Sequence, residues 1–351
     1  MPTSVSAQEL RMPSAPDIGR LPGEVVIKPI SVGELPTRAG VVESVPEVSL
    51  PSAATQVVRP VEYLTLDEFR LPEDEPPLTP LAVQVGADES VNVLDAGQPD
   101  AFRWVRFSPE NQVVHSVSIP RESAGLQAPT GIALDAQGRL YVADLVANCV
   151  WRYDVSGAAT AIGQGESLSG LLDVALDKAG NLLVAESSAC RVTKLDPAGG
   201  RLLSFGTPDR PARDEEEEEE IEDETPAGPP APDRLANPGA VATDAQGNIY
   251  IADTNHHRVL KLDAGGAFVG YVAQGVELLF PSGVKVSTAG DLFVADLDGS
   301  RIHKFDPNGK HLFSLPFESK SVGGEFDIDG EGNLYLPSKS NQAILKVRHA
   351  G

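Results

Sequence analysis

An acidic residue recurs along the chain at the end of a short apolar run, and its spacing restricts the fold more than any other feature. Aligned on it, Asp95, Asp144, Glu186, Asp253 and Asp296 fall in register, with Ser338 in a sixth position, at steps of 49, 42, 67, 43 and 42 residues. A nearly constant period of this size means a repeat architecture, in which each unit is one supersecondary element that buries its faces only against its neighbours. The one long step contains an acidic stretch, residues 214–224, and an insertion of about 25 residues restores the period.

Each unit reads as four short antiparallel strands, a to d. In residues 239–263 the apolar runs 241–243 and 249–252 are joined by Asp-Ala-Gln-Gly-Asn, a turn-forming cluster that reverses the chain without a helix. Thr-Asn-His-His-Arg follows Asp253, residues 259–262 form a third run, and Asp263-Ala-Gly-Gly leads to a last one at 268–272. The chain is rich in Gly and Pro and poor in aromatics, which suits many short strands with tight turns.

These residues resemble the NHL repeat family, whose signature is close to Pro-x-Gly-Ile-Ala-x-Asp, Gly-Asn-x-Tyr-Val-Ala-Asp and Asn-x-Arg-Ile-x-Lys-Phe-Asp. Here it stands as Pro129-Thr-Gly-Ile-Ala-Leu-Asp135 with Leu140-Tyr-Val-Ala-Asp144, and as Gly247-Asn-Ile-Tyr-Ile-Ala-Asp253 with Asn255-His-His-Arg258-Val-Leu-Lys-Leu-Asp263. The resemblance runs from about residue 61 to the C-terminus and implies a β-propeller. Unit one departs from it at Gly86-Ala-Asp-Glu, and unit six at Pro337-Ser338.

Residues 61–69 alternate apolar with polar where a strand d would precede unit one, whereas unit six stops after its strand c at residues 343–348. A spare strand at one end and a missing one at the other predict non-covalent closure of a ring, which removes both exposed edges. The expected fold is all-β: a six-bladed β-propeller over residues 61–351, whose N-terminal strand closes the last blade by burying Tyr63, Leu64 or Leu66. Before it, residues 1–60 carry prolines at 2, 13, 16, 22, 29, 36, 46, 51 and 60, which forbid long helices and central strands. This Pro-rich arm reads either as a disordered tail or as an extended segment that docks on a partner through 25–28 and 41–45.

The formal net charge of −23 argues against nucleic acid and anionic membranes as partners, since both would repel it. Residues 214–224 supply ten of the negative charges inside an acidic loop insertion, residues 207–234, that is flanked by prolines. It reads as a solvated loop or as a docking surface for a basic partner. Loop length enters stability only logarithmically, so a short Gly-Ser link in place of 207–234 is expected to leave thermal stability nearly unchanged. Cys149 and Cys190 are too few for a disulfide framework and read as inert thiols. No N-terminal signal pattern and no run of ~18 apolar residues is present, which makes the cytoplasm the expected compartment.

The central channel would be lined by strand a. Its first residues align as Ala82, Gly131, Asp173, Ala240, Gly283 and Glu325, which puts two carboxylates on opposed blades. Two positions on, the row is Gln84, Ala133, Ala175, Ala242, Lys285 and Asp327. The expectation is a Lys285–Asp327 ion pair between neighbouring blades, or, more sharply, a small polar site for a ligand or cation built from Asp173, Glu325, Lys285, Asp327 and Gln84. Arg191, Arg258 and Arg301 begin strand c and are expected to bridge back to Glu186, Asp253 and Asp296, fixing their loops.

Catalysis needs more than this. The amidating lyases that share the NHL fold hold zinc with channel histidines, and a catalytic zinc needs about three protein ligands. Here His115, His256, His257, His303, His311 and His349 stand outside the channel rows and are expected to converge on no one point. Gluconolactonase-like and strictosidine-synthase-like propellers use carboxylates and asparagines around a divalent cation, of which Asp173 and Glu325 would imitate only a part. No catalytic residue, metal ligand set or cofactor is therefore expected. The reading is a non-enzymatic protein–protein interaction or scaffold module, tethered into a larger assembly by its N-terminal arm. The alternative is a channel-site hydrolase or lyase requiring a divalent cation. A sensor ectodomain is disfavoured because the sequence holds no membrane segment.

Overall fold

One turn, repeated, decides where most strands end. Asp244 closes strand a of the fourth unit, and its Oδ1 accepts the amides of Gln246 and Asn248, both at 2.9 Å, while Gly247 takes the positive φ of 84° that completes the reversal. The same Asp-x-x-Gly-x device recurs at Asp135, Asp177 and Asp329 between strands a and b, and at Asp154, Asp196, Asp263 and Asp306 between strands c and d. An Asp side chain that bonds the amide two residues on mimics a backbone turn, and only glycine adopts the left-handed step without strain.

The computed structural model describes residues 63–121, 125–208, 230–317 and 325–349. All belong to the second of the two units into which the chain divides, Met1–Val57 and Val58–Gly351. The arm and the acidic run 214–224 lie outside the described residues, where the architecture is all-β with six four-stranded antiparallel sheets in the order a-b-c-d.

Blade one comprises Pro80–Val85, Val91–Asp95, Ala101–Phe107 and Val113–Pro120. Blade two is Pro129–Leu134, Leu140–Asp144, Cys149–Tyr153 and Ala159–Ile162. Blade three is Leu171–Leu176, Leu182–Glu186, Arg191–Leu195 and Arg201–Phe205. Blade four is Pro238–Thr243, Ile249–Asp253, Arg258–Leu262 and Phe268–Val272. Blade five is Pro281–Val286, Leu292–Asp296, Arg301–Phe305 and His311–Pro316. Blade six takes Asp327–Ile328, Leu334–Ser338 and Ala343–His349 from the C-terminal end, and Tyr63–Phe69 from the other.

Strand b is buried over its whole length in blades one to five, because both faces of each sheet are covered by the neighbouring blades. This explains why it reads as a continuous apolar run rather than as an alternating one.

The closing strand pairs antiparallel with Ala343–His349, Tyr63 opposite His349 and Phe69 opposite Ile344. Its anchor differs from the one expected. Leu66 is 42% exposed, whereas Phe69 is 2% exposed and meets Phe107 of blade one edge-on at 5.7 Å and Tyr335 of blade six at 5.9 Å. Phe69, the last residue of the strand, lies where the apolar surfaces of blades six and one meet, and alternation along the strand gives that end no special weight.

The acidic insertion also differs at its ends. Thr207–Pro208 pairs in parallel with Arg234–Leu235, and Arg258 donates to the carbonyls of Pro230, Ala231 and Arg234. Both ends of 207–234 are thus part of the fold, which corrects the expectation that the whole segment is dispensable.

Phe69→Ala is expected to cost about 3–5 kcal/mol, because the cavity opens at the ring closure. Leu66→Ala is expected to change stability by no more than about 0.5 kcal/mol. Urea unfolding of the two variants checks this, and equal losses would contradict the assignment of Phe69 as the closing anchor.

Candidate functional site

The walls of the channel are held by the acid that ends strand b. Asp144 accepts the amides of Gln127 and Ala128 at 2.7 and 3.1 Å; Glu186 accepts Ser169, Asp253 accepts Ala236, and Asp296 accepts Leu279 and Phe280, at 2.6 to 2.9 Å. Asp95 takes the amide of Thr79 in the same way. Each of these amides lies one or two residues before strand a of the same blade, so the acid fixes the arriving connection to the blade it enters. The five carboxylates are at most 1% exposed, a burial tolerable only because they are so fully bonded.

Two of the expected arginine bridges are present. Arg191 Nε meets Glu186 Oε1 at 2.8 Å, and Arg258 Nε meets Asp253 Oδ2 at 2.8 Å. Arg103 forms the equivalent bridge to Asp95 in blade one, its Nη2 at 2.7 Å from Oδ2. The third expected pair is corrected: Arg301 is exposed and, among the described residues, forms no ion pair. His303 stands two residues on, where blade three has the smaller Thr193, and its Nε2 lies 3.8 Å from Asp296 Oδ2 in the space a guanidinium would need.

Strand pairing puts the second channel row at one level. Gln84, Ala133, Ala175, Ala242, Lys285 and Asp327 each stand opposite the same position of strand b, namely Asn92, Tyr141, Leu183, Tyr250, Phe293 and Tyr335. Lys285 and Asp327 are therefore level neighbours, but the expected ion pair is absent: among the described residues no carboxylate oxygen comes within 4.0 Å of Lys285 Nζ. Asp327 is instead engaged from blade one, its Oδ2 accepting Gln84 Nε2 and the amide of Val85, both at 2.6 Å.

Above this row, Asp173 is 1% exposed and accepts the amides of Val174 at 2.8 Å and, from blade four, Val241 at 3.0 Å. Gly131 of blade two must be glycine here, since a Cβ would sit 2.3 Å from Asp173 Oδ1. Glu325 has no hydrogen bond among the described residues and lines an upper cavity of about 330 Å³, together with Lys339 and Asn237. Lys285, Asp327 and Gln84 line a lower cavity of about 230 Å³. Asp173, Ala82 and Ala240, of the first channel row, are buried and line neither cavity.

The electrostatics bind these groups into one unit. Burial acts against the Lys285 charge, but Asp173, Asp327 and Glu325 together raise it above the ordinary lysine value. Burial likewise pushes Asp173 up, with Lys285 and its two amides holding it back. Asp327 is driven by burial up to about 6, against the pull of Lys285 and the Val85 amide. Glu325 is raised furthest, by burial and then by the charge of Asp173. One ammonium among three buried acids is a site in which each carboxyl is harder to ionise than in water.

The remaining titratable groups stand apart. Contrary to the sequence reading, two histidines do converge, although outside the channel: His303 Nδ1 and His311 Nε2 reach Ser314 Oγ at 2.8 and 2.9 Å in the outer strands of blade five. The strand irregularity beside them, at Lys304 and Phe305, recurs at the same place in blades one, three and four. Cys149 is buried, its thiol pushed up to about 11 by burial and then by Asp144, and both cysteines are free. Among the described residues no group of three or more His, Cys, Asp or Glu is placed to hold a metal ion.

Residues 126–153 and 235–262 match the NHL repeat, and the chain is a six-bladed β-propeller that carries NHL repeats. No curated protein matches it significantly. Among solved structures it is similar to virginiamycin B lyase from Staphylococcus aureus, at 10% identity and a TM-score of 0.56, over 82% of this chain and 99% of that one. It is also similar to a proposed gluconolactonase, at 18% identity and a TM-score of 0.53, over 83% and 93% of the two chains. A third similarity is to a chain of the nidogen/laminin complex, at 16% identity and a TM-score of 0.51, over 69% and 81%. At these identities the likeness is one of fold.

The raised channel carboxyls fix a pH dependence. A carboxyl whose folded pKa lies above its unfolded value binds protons in the folded chain that the unfolded chain has released, so its contribution to stability falls as pH rises from about 4 through the folded pKa. His303 and His311, lowered chiefly by burial, act the other way below about 6.5. Glu325→Gln, which mimics the protonated acid, isolates the channel: it is expected to raise the melting temperature at pH 8 and to leave it nearly unchanged at pH 5. A variant that melts lower than the parent at pH 8 would contradict the raised Glu325.

Proposed function

We propose that the chain is a non-enzymatic protein–protein interaction module, and that a partner adds a strand to the outer edge of blade four. The observation that carries this is the composition of Phe268–Val272: five residues without a charge, forming an outer strand that pairs on its inner side alone among the described residues. Val269 is 59% exposed, and Phe268 and Tyr271 stand edge to face at 5.1 Å at the surface. Arg258 lies over the Tyr271 ring at 5.1 Å and holds it in place. Folded chains ordinarily blunt such an edge with lysine, proline or a covering segment, and one left apolar is suited to strand addition.

The channel supports the same reading. Lys285 already places a cation among Asp173, Glu325 and Asp327, so a divalent ion would have to displace an ammonium or share its carboxylates. No histidine or cysteine lies in the channel rows to act as ligand or nucleophile. This weighs against the metal-dependent hydrolase or lyase, for which the fold alone is no argument, since the same fold occurs in a lyase and in the nidogen/laminin complex. Tethering by residues 1–60, docking of a basic partner on 214–224 and a cytoplasmic setting complete the proposal. No helix among the described residues is long and apolar enough to cross a membrane.

Val269→Lys puts a charge on the edge without touching the core. Pull-down from the native host is expected to recover a specific protein with the parent chain and to lose it with this variant, at an unchanged melting temperature. Equal recovery by both, or no specific protein with either, would overturn the proposal.

A further inference from the structure

The lower channel cavity is divided by chemistry. On blades five, six and one its wall is Lys285, Asp327 and Gln84, and on blades two, three and four the same level is occupied by Ala133, Ala175 and Ala242. Small methyl groups on one side leave open the space that three polar side chains face from the other. The cavity of about 230 Å³ shares Leu134, Leu176, Thr243 and Val286 with a wider funnel of about 620 Å³ lined by the a-to-b turns of blades two to five, which gives it an entrance.

The polar half is incomplete by itself. Lys285 Nζ has neither a hydrogen bond nor an ion pair within 4.0 Å among the described residues. Asp327 accepts Gln84 Nε2 and the Val85 amide at Oδ2 and is bonded as well by the Ile328 amide of its own strand, while Gln84 Oε1 accepts no hydrogen bond among the described residues. A donor with a positive charge and two acceptors, one of them charged, thus stand on adjacent blades at one level, too far apart to satisfy each other.

We propose that this cavity binds a small zwitterion of the α-amino-acid class. The ligand carboxylate accepts from Lys285 Nζ, its ammonium donates to the Asp327 carboxylate and Gln84 Oε1, and its side chain lies against Ala133, Ala175 and Ala242. A zwitterion suits the gap because its two charged ends meet the two unmatched ends of the site together, whereas a simple anion or cation would leave one of them unpaired. The volume of about 230 Å³ is ample for an amino acid with a short aliphatic side chain. The bond to Gln84 also joins blade six to blade one, so a bound ligand would brace the ring beside its non-covalent closure. This inference does not depend on the partner edge of blade four.

Calorimetric titration of the full chain with L-alanine tests it, beside propionate, which lacks the ammonium, and isopropylamine, which lacks the carboxylate. Saturable binding of L-alanine at millimolar concentration or below is expected, with both half-ligands weaker by about ten-fold or more. Lys285→Met should abolish the L-alanine signal while the chain still melts cooperatively. If that variant does not fold, the comparison of the three ligands on the parent chain decides. No saturable L-alanine binding, half-ligands as tight as L-alanine, or unchanged binding by a folded Lys285→Met chain would overturn the proposal.

Discussion

The buried carboxylate at the end of strand b is the interaction on which the other features rest. A propeller has no continuous sheet from blade to blade, so each connection from one strand d to the next strand a must be fixed by something other than strand pairing. Here a buried acid takes one or two amides of that connection in each of blades one to five. Hydrogen bonds to a charged acceptor contribute about 1.5–3 kcal/mol each, and a buried acid left without them would carry an uncompensated charge. The acid is therefore both stabilising and selective: it tolerates only the loop path that brings amides to it.

Blade six departs, and its departure is consistent with closure. Ser338 stands where the others have an acid, and its hydroxyl accepts the amide of Asn341 at 3.2 Å. Its outer strand comes from the opposite end of the chain, so the bracing falls to side chains between blades six and one. Phe69 supplies apolar contact near the top of that seam, and Asp327 with Gln84 and Val85 supplies hydrogen bonds at the channel wall. The clamps and this seam together hold Lys285 among carboxylates contributed by blades three and six, a grouping that no single blade could make.

The repeat period, the strand boundaries and the strand exchange were legible in the sequence because each has a local cause. Asp-x-x-Gly-x reverses the chain wherever it occurs, and a strand missing at one end must be supplied at the other. The level of the channel rows was legible for the same reason, since pairing register follows from the turns. Side-chain partnerships were not. The arginines five residues on are legible and do bridge to Glu186 and Asp253, but every clamped acid also takes backbone amides 16 or 17 residues upstream, and amides leave no mark in a sequence. Arg301 missed its acid because of His303, and Lys285 missed Asp327 because Gln84 and Val85 reached it from the other side. These outcomes depend on which of several competing groups is nearer, a difference of an ångström or two that residue spacing does not encode.

Native-state hydrogen exchange tests the clamp most directly. The amides of Gln127, Ser169, Ala236 and Leu279 lie in connections outside the main strands, and if the buried acids fix each connection to the blade it enters they should exchange as slowly as amides in the middle of strand b. Exchange at the rate of the exposed c-to-d turns, such as those following Asp263 and Asp306, would contradict the account, because the connections would then open independently of the blades they join.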